Sequence, residues 1–150
     1  MRIVNDQLLQ EKIHFKPHPG QEKILNNLRR FTTIVAGRRF GKTMVSAYIA
    51  LKELVGVNKN IWIVSPTYDL SMKVFDYLRQ WIGVAFPKDF KIITAPHPKI
   101  ISATGSVLEG KSAENENSLM GSELDLAILD EAAAMSSKIW DVYILSLIHI

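Results

Sequence analysis

Apolar residues fall along the chain in two alternating patterns. Short continuous runs, Phe31–Ala36, Asn60–Val64 and Asp125–Leu129, have the length and aliphatic content of strands buried on both faces. Between them, apolar positions recur three and four residues apart. Ile24, Leu25 and Leu28 share one face of a helix predicted over Gln21–Arg30, which Pro19-Gly20 opens. A second helix is predicted from Lys42 to Val55, ending at Gly56. A third runs over Tyr68–Ile82, with Val74, Leu78, Trp81 and Ile82 on its apolar face. Ser65-Pro66-Thr67 separates the second strand from this third helix. Strands that alternate with helices predict right-handed crossovers and a parallel sheet.

The pattern changes after residue 83. Gly83–Lys88 reads as a turn region and Phe90–Thr94 as a short strand, with Pro96 and Pro98 breaking the chain after it. Lys99–Thr104 and Ser106–Glu109 flank Gly105 and read as a hairpin toward an edge of the sheet. Ser112–Ser118 is polar and reads as a loop or a single helical turn. Ser136 or Ser137 can cap a last helix through Ile139, Trp140, Tyr143 and Ile144. The first 18 residues are weakly patterned.

Composition narrows the class. With 150 residues, 47% of them hydrophobic, the chain has material for one domain and a sizeable core. There is no cysteine, which excludes disulfides and thiolate metal sites and fits a reducing compartment. No apolar run approaches the roughly 20 residues of a membrane span. The charged start, Met1–Lys12, lacks the apolar core of a leader. The net charge of +3 is unevenly spread: residues 1–60 carry +7 and residues 61–150 carry −4. A basic half suits a polyanion such as ATP or a nucleic-acid backbone, and it equally suits an ordinary solvated surface.

The residues that carry chemistry fall at the ends of the predicted strands. Ala36-Gly37-Arg38-Arg39-Phe40-Gly41-Lys42-Thr43 has the form (A/G)xxxxGK(S/T), between a predicted strand and a predicted helix. Such a turn lets backbone N–H groups wrap phosphate oxygens at the positive end of the following helix. Lys42 is placed to reach the β- and γ-phosphates, and the Thr43 hydroxyl to ligate Mg²⁺. Ala36 stands where the commonest form has glycine. The strand Asp125–Leu129 ends in Asp130-Glu131, a Walker B pattern: Asp130 supports the Mg²⁺ shell, and Glu131 orients and deprotonates a water against the γ-phosphate. Gln21 has an amide that matches the N6/N7 edge of adenine, although by itself it reads equally as a solvent-facing helix start. His14 and His18 lie four apart, but Pro17 and Pro19 prevent a helix that would align them as metal ligands.

Taken together, these stretches resemble the ATPase domain of the large terminase subunit, the DNA-packaging motor of tailed phages. The resemblance runs from about Pro19 to Trp140. It is carried by Gln21-Glu22-Lys23-Ile24-Leu25, Ala36–Thr43, Val64-Ser65-Pro66-Thr67-Tyr68-Asp69, Thr104-Gly105-Ser106, Gly121 and Leu129-Asp130-Glu131-Ala132-Ala133. The arginine-containing phosphate loop is the most specific of them. The resemblance implies an α/β P-loop NTPase fold (additional-strand, RecA-like) with a mainly parallel sheet flanked by helices and an edge hairpin. It implies ATP as substrate, Mg²⁺ as cofactor, Gln21 at the adenine, and Arg38 as a sensor or stabiliser of the γ-phosphate; Arg39 reads equally as a surface charge. It also implies that Pro66 and Thr67 lie on the DNA side, where Thr67 reads equally as a helix cap. The partners it implies are double-stranded DNA, a portal protein, the small terminase subunit and further copies in a ring on the procapsid, in the host cytoplasm and without a membrane.

The sequence departs from the family pattern in three ways. Met120 stands where many members carry arginine, a candidate trans-acting finger. The coupling motif and the RNase H-like nuclease domain found next in large terminases are absent, so the chain is expected to be a C-terminally truncated ATPase domain without nuclease activity. Leu145-Ser146-Leu147-Ile148-His149-Ile150 matches the peptide that the mosaic end of a widely used sequencing transposon encodes in one frame, so native sequence is expected to end near Ile144. Two alternatives accompany this reading: a superfamily 2 helicase or translocase fragment, and a module that holds nucleotide without turnover.

Overall fold

The computed structural model describes residues 5–121 and 123–144. Its helices are α1 (Asp6–Lys12), α2 (Pro19–Asn26), α3 (Lys42–Leu54) and α4 (Tyr68–Ala85). Its strands are β1 (Asn60–Ser65), β2 (Phe90–Ile93), β3 (Lys99–Ser102), β4 (Val107–Ser112) and β5 (Leu126–Leu129). Short 3₁₀ turns cover Glu116–Leu119 and Ala132–Ala134, and a π-helical segment covers Ile139–Ile144. The strands form one sheet in the order β2-β3-β4-β1-β5. β1 runs parallel to both β4 and β5, and β2 and β3 extend the β4 side antiparallel.

The alternation of side chains along β1 divides the core in two. Ile61 and Ile63 point to the face covered by α3 and α4, where they pack with Leu51, Leu54, Phe75, Leu78, Ile100 and Leu108. Trp62 and Val64 point to the other face and pack with Leu119, Leu124, Ile139 and Ile144. The first layer rests on helices with broad apolar stripes, whereas the second rests on short irregular segments. Truncating a fully buried side chain such as Leu51 or Phe75 to alanine costs about 2–5 kcal/mol.

α3 and α4 follow the predicted pattern closely. The Thr67 hydroxyl caps α4 by accepting from Leu70 N at 3.4 Å, and α4 continues to Ala85, one turn past the predicted Ile82. α2 is shorter than predicted. It ends at Asn26, where the Asn27 amide folds back to donate to Lys23 O at 2.7 Å, so Leu28 to Arg30 lie outside the helix. α1 is not legible as a helix in the sequence. The Asn5 side chain caps it, and the Tyr48 hydroxyl and Lys52 ammonium of α3 hold Asp6 at 2.7 and 2.8 Å. Leu9 and Ile13 then join the core, and Phe15 packs against Tyr48 and Trp81.

The main correction concerns Phe31–Ala36. The run is not a strand: it forms no ladder, Phe31 is 51% exposed and Val35 93% exposed. It lies across an open cleft from β5, the last strand of the sheet. An apolar run supplies the propensity of a strand, but a strand exists only where a neighbour completes its hydrogen bonds. The hairpin is present as β3 and β4, turning through Gly105 at φ 86°. β2 lies beyond it and completes that edge. Ser136 caps the last helical segment by accepting from Lys138 N at 3.3 Å. The expectation for Leu145–Ile150 lies outside the described residues.

Candidate nucleotide site

The phosphate loop is built by two left-handed residues, Arg39 at φ 63° and Gly41 at φ 87°, which turn the chain directly into α3 at Lys42. The Lys42 ammonium folds back over the loop and donates to Ala36 O at 2.7 Å and Gly37 O at 3.1 Å. That contact places a cation at the mouth of the loop, over the N-terminus of a 13-residue helix. Thr43 is half-buried in the first turn of α3. Arg38 and Arg39 are exposed on the outside of the loop.

The loop is held from behind by α2. His18 caps that helix, with Nδ1 accepting from Gly20 N at 3.1 Å and Gln21 N at 3.4 Å. Nδ1 as acceptor leaves Nε2 as the protonated nitrogen, and it donates to Phe40 O at 3.0 Å. The rings of His18 and Phe40 also meet edge to face at 4.9 Å. Gln21 is buried. Its Oε1 accepts from His18 N at 3.1 Å, and its Nε2 donates to Phe40 O at 3.5 Å and Gly41 O at 3.4 Å. The amide that matches an adenine edge therefore spends both its functions on the loop. Spacing alone marks His18 as no more than a poor metal ligand. The signal for its real role is nonetheless present, since His-x-x-Gln before an apolar helix is a capping box with imidazole in place of hydroxyl.

The carboxylates arrive on β5. Asp125 ties the start of that strand to β1 by accepting from Asn60 N at 2.8 Å and Lys59 Nζ at 3.2 Å. At the other end Asp130 N donates to Val64 O at 2.9 Å, which carries the ladder one step past Leu129. Burial pushes the Asp130 carboxyl above the ordinary range and the Glu131 charge adds to this, while the Glu131 N–H and the Lys73 and Lys42 ammoniums pull it back. Glu131 comes next at φ 56°, a left-handed turn that leaves its side chain exposed.

One cleft of about 1470 Å³ runs past Ala36, Lys42, Asp130 and Glu131, whereas Gln21, residues 37–41 and Thr43 do not line it. Ala36, Lys42, Asp130 and Glu131 line one end, and Asn58, Asn60 and Asp125 line the other. It is wider than a nucleotide pocket needs, because it runs along the whole open edge of β5 opposite residues 31–36. The end with Lys42, Asp130 and Glu131 brings a cation and two carboxylates together, and Arg29 and Arg30 also line the cleft. The donor set there fits Mg²⁺, a hard ion that takes one or two protein oxygens and completes its octahedron with phosphate oxygens and water. Among the described residues no cluster of three or more His, Asp or Glu could cage a metal without such help.

Pro66 and Thr67 follow the carboxyl end of β1 and do not line the cleft. The Thr67 hydroxyl is engaged as the cap of α4, and Pro66 O accepts from Ser112 Oγ at 3.2 Å. Met120 is exposed and precedes Gly121 at φ 88°.

Residues 33–141 match the family model described as terminase large subunit, T4likevirus-type, N-terminal. The chain is similar to the large terminase subunit of Thermus phage G20c, 27% identical over 148 residues, covering 87% of this chain and 30% of that protein. It is also similar to the large terminase subunit of Escherichia phage T5, 30% identical over 124 residues, covering 78% of this chain and 27% of that one. Among solved structures, the large terminase ATPase domain of Thermus phage P74-26 superposes with a TM-score of 0.73 at 26% identity, covering 92% of this chain and 62% of that one. A mutant form of the same domain superposes with a TM-score of 0.75 at 27% identity, with the same coverage. The chain thus spans about 30% of the length of the Thermus phage G20c subunit.

Proposed function

Given that the chain belongs to the family of T4likevirus-type terminase large subunits, as its N-terminal part, we propose that it is the ATP-hydrolysing motor domain of a phage DNA-packaging machine. The observation that carries this reading is the meeting of Lys42 with Asp130 and Glu131 at one end of one cleft. In this mechanism the loop amides and Lys42 hold the β- and γ-phosphates of ATP. Thr43 and Asp130 hold Mg²⁺, which neutralises charge on the phosphates when bound. Glu131 orients a water and takes its proton as the water oxygen bonds to the γ-phosphorus and the bond to the ADP oxygen breaks. Arg38 swings from the outside of the loop to the γ-phosphate, where a planar, permanently charged fork suits three equatorial oxygens. Gln21 offers its amide to adenine by exchanging the Phe40 and Gly41 carbonyls for the base edge, which couples nucleotide binding to the loop.

Hydrolysis drives movement of double-stranded DNA, with Pro66 and Thr67 on the DNA side. The portal protein, the small terminase subunit and further copies in a ring on the procapsid are the partners, in the host cytoplasm. No helix of the described residues is long and apolar enough to cross a membrane.

The test is Glu131→Gln. Binding of a fluorescent ATP analogue is expected to persist while phosphate release falls by about 10²–10⁴-fold, the range of a general base. Normal turnover in this variant would sink the assignment.

A further inference from the structure

Among the described residues, Ser65 Oγ is the one buried side-chain polar atom without a hydrogen-bond partner, and Ser65 itself has no exposed surface. Its position is set by the ladder. On β1, Ile61 and Ile63 face α3 and α4, so Ser65, two residues on, faces the same way. On β5, Leu126 and Ile128 pack on that face, and the ladder reaches Asp130 through its N–H bond to Val64 O. The β1–β5 register ends with Val64 opposite Leu129, and extending it by one residue sets Ser65 opposite Asp130, the first residue past β5. Neighbouring strands lie about 4.8 Å apart, so that extension sets the two residues next to each other at the carboxyl end of the sheet.

The other polar groups in this row are already committed. Ser112, in register with Ser65 on β4, donates to Pro66 O at 3.2 Å and accepts from Glu114 N at 3.3 Å. Ser71 on α4 donates to Tyr68 O at 2.7 Å. The backbone carbonyl of Ser65 accepts from Ala113 N at 2.9 Å. An aliphatic residue would continue the Ile61, Ile63 row without leaving a buried donor unpaired, so serine here costs the fold stability.

We propose that Ser65 is a positioning residue for the metal site: on Mg²⁺·nucleotide binding its hydroxyl donates to the Asp130 carboxylate and holds that group in the orientation in which it would bind the ion. Carboxylates around metals are themselves held by hydrogen bonds, and removal of such a partner commonly costs 10–100-fold in metal affinity. The inference rests on the nucleotide-binding reading of the Lys42–Asp130 end of the cleft.

Binding of a fluorescent ATP analogue to the full chain, titrated in EDTA and again in Mg²⁺, tests it. Ser65→Ala is expected to leave the affinity in EDTA unchanged and to cut the Mg²⁺-dependent gain about tenfold, with a melting temperature equal to or above wild type. Ser65→Thr, which keeps the hydroxyl on a strand-compatible side chain, is expected to restore the gain. A full Mg²⁺ gain in Ser65→Ala, an equal loss with and without Mg²⁺, or a lowered melting temperature would each overturn the proposal while leaving the nucleotide reading intact. A wild-type chain that binds no Mg²⁺·nucleotide would overturn both.

Discussion

The Gln21 amide donates to Gly41 O at 3.4 Å, and it stands so close that a Cβ on Gly41 would lie 2.6 Å from its nitrogen. A residue of α2 and the glycine that closes the phosphate loop are therefore fitted to one another. Gly41→Ala meets two penalties, the left-handed backbone at φ 87° and the displaced amide. It is expected to destabilise the fold by about 1–3 kcal/mol and to weaken nucleotide binding more than tenfold. Thermal melting and nucleotide titration check both effects. Gln21→Ala, which removes the amide but strains nothing, is expected to cost only about 1 kcal/mol.

Asp130 carries a charge that burial and Glu131 both disfavour. Asp130→Asn removes that charge while keeping the shape. Melting without metal is expected to show a gain of about 0.5–1 kcal/mol, while the Mg²⁺-dependent part of nucleotide binding disappears. A variant less stable than wild type would mean that the carboxylate is a structural anchor.

Arg38 is exposed at the outside of the loop, so its replacement should leave the fold intact. Arg38→Lys keeps the charge but not the planar fork. If the fork stabilises the γ-phosphate in the transition state, kcat falls at least a hundredfold with little change in KM. Steady-state kinetics separate this from a lysine that substitutes freely.

Glu109 lies opposite Lys99 across β3 and β4, bonded to it at 3.0 Å and to Lys111 at 3.3 Å. Burial pushes its carboxyl up, but the Lys99 hydrogen bond and the two lysine charges outweigh burial and hold it below the ordinary range. A depressed folded value means that the ionised form stabilises the fold. The contribution is complete above the unfolded value near about 4.3 and is lost as pH falls through the folded value. Glu109→Gln is expected to melt below wild type at pH 7 by the equivalent of about 0.5–1 kcal/mol, with the gap closing in acid and narrowing in high salt. A gap independent of pH would assign the loss to packing.

Local structure was legible in the residues themselves. The small-residue turn before Lys42-Thr43, the aliphatic strand delivering Asp130-Glu131, and the apolar faces of α3 and α4 are each encoded within a few neighbouring positions, so α3, α4, β1 and β5 fall close to where the pattern puts them. What the tertiary structure decided is what depends on distant partners. Phe31–Ala36 has the composition of a strand, but a ladder needs a second chain segment, and its cleft-side neighbour β5 does not supply one. His18 and Gln21 are ordinary helix-start residues until the loop packs on α2 and turns them into its struts. Ser65 reads as part of the break after a strand, and only the fold makes it the last residue of β1, with a buried hydroxyl that has no partner. Sequence periodicity fixes which way a side chain points, whereas burial and hydrogen-bond satisfaction depend on what the rest of the chain brings to meet it.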